Sequence, residues 1–239
     1  MIKKNSKGSI LIFGGSGGLG SEIAKNFCQQ GYDMVLTYRK NAKEIKKILK
    51  KFNEKKSNKI FYSKCDFNNE NSIKKTIKFA IKKNGEPKYI INSVGVFYYD
   101  NLKKFNYKKI NEIFKINAYS VLAINKTLYN LKKSKKIIKI ISIGSSSALN
   151  GFKDTFSYCG SKHALLGIVR SLNETIYRKK IFNYCLNLGS IKNKMGKKVR
   201  SKEFKNFINP QSAVKAINFL TSLEVPALTE ELFVKRFRF

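Results

Sequence analysis

Tyr158 and Lys162 lie four residues apart, and Ser145 precedes the tyrosine by thirteen. If Tyr158 opens a helix, that spacing stacks phenol and ammonium on one face, one turn apart. A tyrosine hydroxyl titrates near ~10 when unperturbed, too high to exchange protons readily at neutral pH. A cation held beside it favours the phenolate and brings the group toward useful acidity. A hydroxyl from Ser145, delivered by the end of a preceding strand, can hold a carbonyl or alcohol oxygen at the same point. Three groups then meet at one oxygen: a proton shuttle, its tuner and an orienting donor. Lysine-rich helices produce Tyr-x-x-x-Lys by chance, so the reading depends on the elements that position the set.

Those elements alternate. SILIF at 9–13 is an apolar run that leads directly into Gly14-Gly15-Ser16-Gly17-Gly18-Leu19-Gly20, followed by a helical pattern with Ile23, Ala24 and Phe27 inward and Gly31 at its end. In strand–turn–helix context, glycines let the backbone approach a pyrophosphate, and the helix start supplies N–H donors. The spacing is G-x-x-x-G-x-G, not the G-x-G-x-x-G of longer dehydrogenases. A second strand, 34–39, ends in Tyr38-Arg39-Lys40 with no carboxylate, which favours a ribose 2′-phosphate and hence NADP(H) over NAD(H). A helix over 43–51 buries Ile45, Ile48, Leu49 and Phe52. A third strand, 59–62, leads to Asp66 and Phe67. Asp66 has two readings, an acceptor for an adenine amino group or the cap of a helix over 72–83.

Gly85-Glu86-Pro87 marks a turn. A fourth strand then runs from Tyr89 into the corner Asn92-Ser93-Val94-Gly95. A long helix over 106–131 carries Asn117 mid-helix, where asparagine is unfavourable by propensity. A fifth strand (137–143) delivers Ser145, a helix spans 158–177, and a sixth strand (183–188) ends at Gly189. Residues 190–208 read as a polar mobile lid, Pro210 opens a helix to Leu223, and 232–239 form a last strand. The alternation predicts an α/β fold: a doubly wound parallel sheet of about seven strands with helices on both faces, in one domain spanning 1–239.

A chain of 239 residues with 42% hydrophobic composition can bury one sizeable core. No apolar run is long enough for a membrane span, and the opening MIKKNSKGS lacks an apolar signal region, so a cytoplasmic chain is expected. Cys28, Cys65, Cys159 and Cys185 are scattered, which implies neither zinc nor disulfides, and no metal site is expected. The net charge of +34 comes almost entirely from lysine, since only six of the 49 basic residues are arginine. Lysine, asparagine, isoleucine, phenylalanine and tyrosine share A/T-rich codons, so base composition accounts for the excess. Scarce arginine argues against a nucleic-acid reader. His163, the only histidine, reads as packing or solvated.

Taken in order, Gly14-x-x-x-Gly18-x-Gly20, Asp66, Asn92-x-x-Gly95, Asn117, Ser145 and Tyr158-x-x-x-Lys162 resemble the short-chain dehydrogenase/reductase family over nearly the whole chain. The resemblance implies a Rossmann-type fold and reversible hydride transfer between a nicotinamide and a carbonyl/alcohol pair. It assigns catalysis to Tyr158 as proton donor, Lys162 as its tuner, Ser145 as orienting group and Asn117 in a water-linked proton path. It assigns cofactor contacts to Gly14, Ser16, Gly17, Gly18, Leu19, Gly20, Arg39, Asp66, Phe67, Asn92, Ser93, Gly95, Tyr158, Lys162, Gly189 and Ile191. Implied partners are a small-molecule or acyl-carrier-linked carbonyl substrate, a 3-oxoacyl thioester above all, with a sugar, polyol or other small ketone as the alternative. A non-catalytic dinucleotide-binding regulator is the competing class. Pairing through the helices bearing Asn117 and Tyr158 implies a homodimer or homotetramer. The chain departs from the family at Phe13, Ser93-Val94, Leu188-Gly189 and Asn193, and its KRFRF tail lacks the Asp-Gly-Gly ending associated with the tetramer.

Overall fold

The computed structural model describes residues 6–53, 58–199, 201–224 and 229–236. Seven strands form one all-parallel sheet: β1 (Ser9–Phe13), β2 (Asp33–Tyr38), β3 (Ile60–Lys64), β4 (Tyr89–Asn92), β5 (Ile138–Ile143), β6 (Ile181–Leu188) and β7 (Glu231–Val234). Their order is β3-β2-β1-β4-β5-β6-β7. The chain winds one way from β1 to β3 and the other way from β4 onward, so a crevice opens above the carboxyl ends of β1 and β4. Every residue of β1 is buried, as a central parallel strand covered on both faces requires.

Helices cover both faces. On one side α1 (Gly18–Gln29), α2 (Lys43–Asn53) and α8 (Pro210–Ser222) pack Ile23, Phe27, Ile45 and Ile217 over Ile10, Ile12 and Leu36. On the other, α3 (Glu70–Asn84), α5 (Ser120–Leu131), α6 (Phe156–Ile176) and the turn that follows α4 (Tyr107–Phe114) bring Ile77, Ile124, Leu165 and Ile116 onto the sheet. In α2 Lys43, Lys46, Lys47 and Lys50 face water while Ile45 and Ile48 are buried and Leu49 packs against them; the Phe52 side chain lies outside the described residues.

The structure revises several sequence expectations. Helix α1 starts at Gly18, inside the glycine run, because the glycines adopt helical geometry once past Gly17. Gln30 is its C-cap, and Gly31 follows at φ 92°, in the left-handed region that favours glycine. Asp66 does not cap α3. Asn69 does, accepting the Ser72 N–H at 3.3 Å, while Asp66 closes its own turn by accepting the Asn68 N–H at 3.0 Å. The long helix over 106–131 is interrupted by a π-turn, Lys115–Tyr119, between α4 and α5. Such one-turn widenings have no local propensity signature and occur often at functional sites. The described residues of 190–208 form helix α7 (Lys194–Val199) and a 3₁₀ turn (Ser201–Asn206), with Ile191 and Phe207 buried. The last strand ends at Val234, and residues 237–239 of the tail lie outside the described region, as do residues 1–5 of the opening segment.

Candidate active site

At the carboxyl ends of the strands lies a cleft of about 780 Å³. Its floor at one end is the glycine turn. Gly14 sits at φ 80°, and its N–H donates to Thr37 Oγ1 at 2.9 Å, which ties the turn to β2. No side chain caps α1, and Gly17, Gly18, Leu19 and Gly20 line the cleft at the helix start. Backbone N–H groups and the helix dipole are thus presented to an anion. A carbon added at Gly20 would lie 2.2 Å from the Gly14 carbonyl oxygen and 2.8 Å from Ser93 Oγ. Gly20→Ala is therefore expected to cost about 1–3 kcal/mol through overpacking and to remove any stabilisation by NADPH, both read by thermal unfolding. Unchanged unfolding with full NADPH response would contradict this close approach.

Departures from the expected turn find local partners. Ser93 Oγ donates to the Phe13 carbonyl at 2.7 Å. The Phe13 ring meets Phe67 edge-on, with centroids 5.1 Å apart. Ser16, Arg39, Asp66, Phe67, Ser93, Gly95, Gly189 and Ile191 all line the same cleft. Asn92 does not; its side chain is buried and accepts the Val94 N–H at 3.3 Å, shaping the corner from behind. Glu44 of α2, which sequence reasoning did not single out, joins Arg39 at this end of the cleft. Its hydrogen bond to Lys47, 3.1 Å long, and the lysine's charge hold the carboxyl below its ordinary range.

At the centre, Tyr158, Ser145 and Lys162 converge. Tyr158 is the third residue of α6, not its first, and the helix start is held by Asp100, which accepts the Ser157 N–H at 2.7 Å and its hydroxyl at 2.6 Å. Nothing local to Asp100 announces that role. The Ser145 side chain comes near enough to the Tyr158 hydroxyl to favour its ionised form. Ser145 Oγ accepts the Ser147 N–H at 3.1 Å, and the Ser145 N–H donates to buried Asn187 Oδ1 at 3.2 Å. Lys162, only 4% exposed, donates from Nζ to the Ile143 carbonyl at 2.9 Å, and Nζ lies 5.8 Å from the Tyr158 ring centroid.

Burial dominates the electrostatics of both groups. Burial pushes the Tyr158 phenol above its ordinary value, and the nearby Ser145 side chain works against that. Lys162 is itself perturbed: desolvation lowers its ammonium to about 8. Asn117, within the π-turn, does not line the cleft. Its Oδ1 accepts the Val96 N–H at 2.9 Å, and its Nδ2 donates to the Val96 carbonyl at 2.9 Å and to Ser161 Oγ at 3.1 Å. His163 is exposed and bonds only the Cys159 carbonyl in its own helix. Among the described residues no cluster of potential metal ligands occurs, and no helix is long and apolar enough to cross a membrane.

The chain's relatives agree with this architecture. Residues 9–204 match the sequence profile of the short chain dehydrogenases. The 3-oxoacyl-[acyl-carrier-protein] reductase FabG of Buchnera aphidicola subsp. Baizongia pistaciae is 28% identical over 86% of this chain and 82% of that protein. The acetoacetyl-CoA reductase of an Acinetobacter species is 23% identical over 74% of this chain and 71% of its own length. Among solved structures, a short-chain dehydrogenase/reductase from Serratia marcescens superposes with a TM-score of 0.85 at 18% identity, covering 96% of both chains. A parallel sheet with this strand order, a glycine turn opening α1 and a profile match over 9–204 together establish that the chain belongs to the short-chain dehydrogenase/reductase family of oxidoreductases.

Proposed function

We propose that the protein is an NADP(H)-dependent carbonyl reductase, with a 3-oxoacyl thioester on an acyl carrier protein as its leading substrate. The observation that carries this reading is the meeting of Tyr158, Ser145 and Lys162 at one point of a cleft whose other end is an uncapped, glycine-lined helix start. The glycine turn fits a dinucleotide because Gly14, Gly17, Gly18 and Gly20 present bare backbone to the cleft at a helix start that no side chain caps. When bound, the nicotinamide nucleotide supplies the hydride.

The chain's own groups do the rest. Ser145 and Tyr158 hold the substrate oxygen, and Tyr158, kept protonated by burial, donates its proton as negative charge develops there. Lys162, whose ammonium burial makes a readier acid, sits behind the phenol and stabilises the phenolate left after transfer. The two relatives named as 3-oxoacyl-[acyl-carrier-protein] reductase and acetoacetyl-CoA reductase support the substrate class. Arg39 at the end of β2, with Glu44 engaged by Lys47, supports a 2′-phosphate over a free hydroxyl. Exposed Tyr119, Leu122 and Tyr129 on the α5 face support pairing of two chains along these helices.

Two measurements test the proposal. Mixed with NADPH and an acetoacetyl thioester, the protein is expected to consume NADPH stoichiometrically with alcohol formed. NADPH is expected to raise the unfolding temperature more than NADH, and Arg39→Gln to erase that difference, a loss of roughly 10-fold in relative affinity. Equal stabilisation by both cofactors in the parent protein would overturn the NADP(H) assignment. Absence of NADPH consumption with every carbonyl tried would overturn the reductase assignment.

A further inference from the structure

The charged side chains lining the cleft are unevenly placed. Arg39, Glu44 and Asp66 stand at the ends of β2, α2 and β3, beneath the glycine turn. Lys194, at the start of α7, is close enough to help hold the Glu44 carboxyl down, and its neighbour Asn193 packs 3.3 Å from a carbon built on Gly18, so this charge too serves the glycine-turn end. Lys162 sits at the centre, where its ammonium is spent on the Ile143 carbonyl and lies next to Gly95, 3.9 Å from a carbon built there. From Tyr158 the lining continues through Phe97, Tyr99 and Val199, and Phe152, Met195 and Phe207 add apolar surface to the same cleft, whose charged lining residues are the five just named.

The aromatic groups of this arm are interlocked. Phe97 meets Tyr158 with ring centroids 4.9 Å apart and a 66° interplanar angle, and Tyr99 meets Phe97 at 5.0 Å and 89°. The hydroxyls of Tyr99 and Thr155 already have partners. Tyr99 donates to the Val199 carbonyl at 2.8 Å, which closes the arm against α7, and Thr155 donates to the Phe152 carbonyl at 2.8 Å. A carboxylate entering here would lose its water beside a guanidinium, Arg236, that already holds Glu203 at 2.6 Å, and a polyol would bury hydroxyls among rings. An apolar body loses nothing and gains contact with the rings.

We propose that the aromatic arm beyond Tyr158 is a subsite for the uncharged, apolar body of a carbonyl substrate, an alkyl or aryl ketone or acyl chain, and that it rejects free keto acids and polyol ketones. This rests on the reductase reading above and narrows it: an acyl chain suits the arm, a sugar does not.

The test uses a matched pair, methyl acetylbenzoate and acetylbenzoate as para isomers, in which the ring keeps the ketone remote from the charge, with erythrulose as the polyol ketone. With NADPH, the ester is expected to exceed the acid by roughly 100-fold or more in kcat/KM, from the unpaired buried charge. Met195→Arg, which places a cation at the rim from a residue 43% exposed, is expected to narrow that ratio by roughly 10-fold. An acid or erythrulose used as well as the ester overturns the proposal. A second arm needs no turnover: unfolding of the cofactor-free protein is followed with each of the pair. A shift with the ester alone supports the subsite even if neither compound is reduced, in which case the reductase reading fails and the subsite stands. An equal shift with the acid, or no shift with either, overturns the subsite.

Discussion

Exchange of Lys162 for methionine is expected to abolish carbonyl reduction and, at neutral pH, to make the protein more stable. Activity falls because the phenolate formed at Tyr158 loses its nearest cation, a loss of roughly 100- to 10,000-fold for a group in proton transfer. Stability rises for a separate reason. Lys162 is buried and its ammonium is lowered from 10.5 to about 8 by desolvation, a burial cost on the order of 3 kcal/mol below that pH. The hydrogen bond to the Ile143 carbonyl, which methionine forfeits, offsets roughly 1.5–3 kcal/mol of it. A net gain of about 1 kcal/mol corresponds to about 2–4 °C in a chain of this size.

The sign of the pH dependence makes the cause identifiable. Because the folded-state value lies below the unfolded one, the unfolded chain binds more protons between about 8 and ~10.4, and the parent gains stability as pH rises through that window. The methionine variant has no such gain, so its advantage is full below pH ~8 and shrinks toward pH ~10. Above that, the upward-shifted Tyr158 acts in the opposite sense in both proteins, so the comparison is read below it. Tyr158→Phe is the companion: it too should lose turnover, while keeping the parent's slope between these pH values. An inactive Lys162→Met variant that unfolds at the parent's temperature at pH 7, with the parent's pH slope, would show that the ammonium is not held at a cost.

The features legible in the sequence are those whose cause is local. Alternating apolar runs and helical stripes gave the parallel sheet, because period and turn residues sit within one element at a time. The glycine turn was legible because Gly14 and Gly20 are demanded by backbone approach, which no other residue tolerates. The Tyr158–Lys162 spacing placed both groups on one face of α6, as helical geometry dictates. Features that depend on residues far apart were silent. Asp100 gripping Ser157, Tyr99 reaching Val199 and Asn187 holding the Ser145 N–H are each a polar side chain meeting a partner from another element. Glu44 enters the cleft from α2, so a search confined to the end of β2 could not find it. The perturbation of Lys162 was missed for the same reason: desolvation is a property of everything packed around the group, not of its neighbour in sequence.

Asn117→Ala carries the second large effect. The side chain is 2% exposed, and both ends of its amide are committed: Oδ1 to the Val96 N–H, Nδ2 to the Val96 carbonyl and to Ser161 Oγ. It thereby copies a strand neighbour for Val96, a residue at the cleft wall that has left β4 and has no ladder partner of its own. The π-turn is what aims the amide there, since a regular helix would place residue 117 at a different angle. Alanine leaves both Val96 groups unpaired, for a loss of about 3 kcal/mol, or about 6–12 °C in unfolding temperature. Residual activity measured well below that temperature should keep the parent's pH profile, because a scaffold moves the wall bearing Val96 and Phe97 without entering the proton transfer. Ser161→Ala, which removes one contact of the three, should show the same effect at a third of the size or less. An Asn117→Ala variant as stable as the parent, but inactive with a displaced pH profile, would instead assign the amide to a proton path and overturn its role as a clamp.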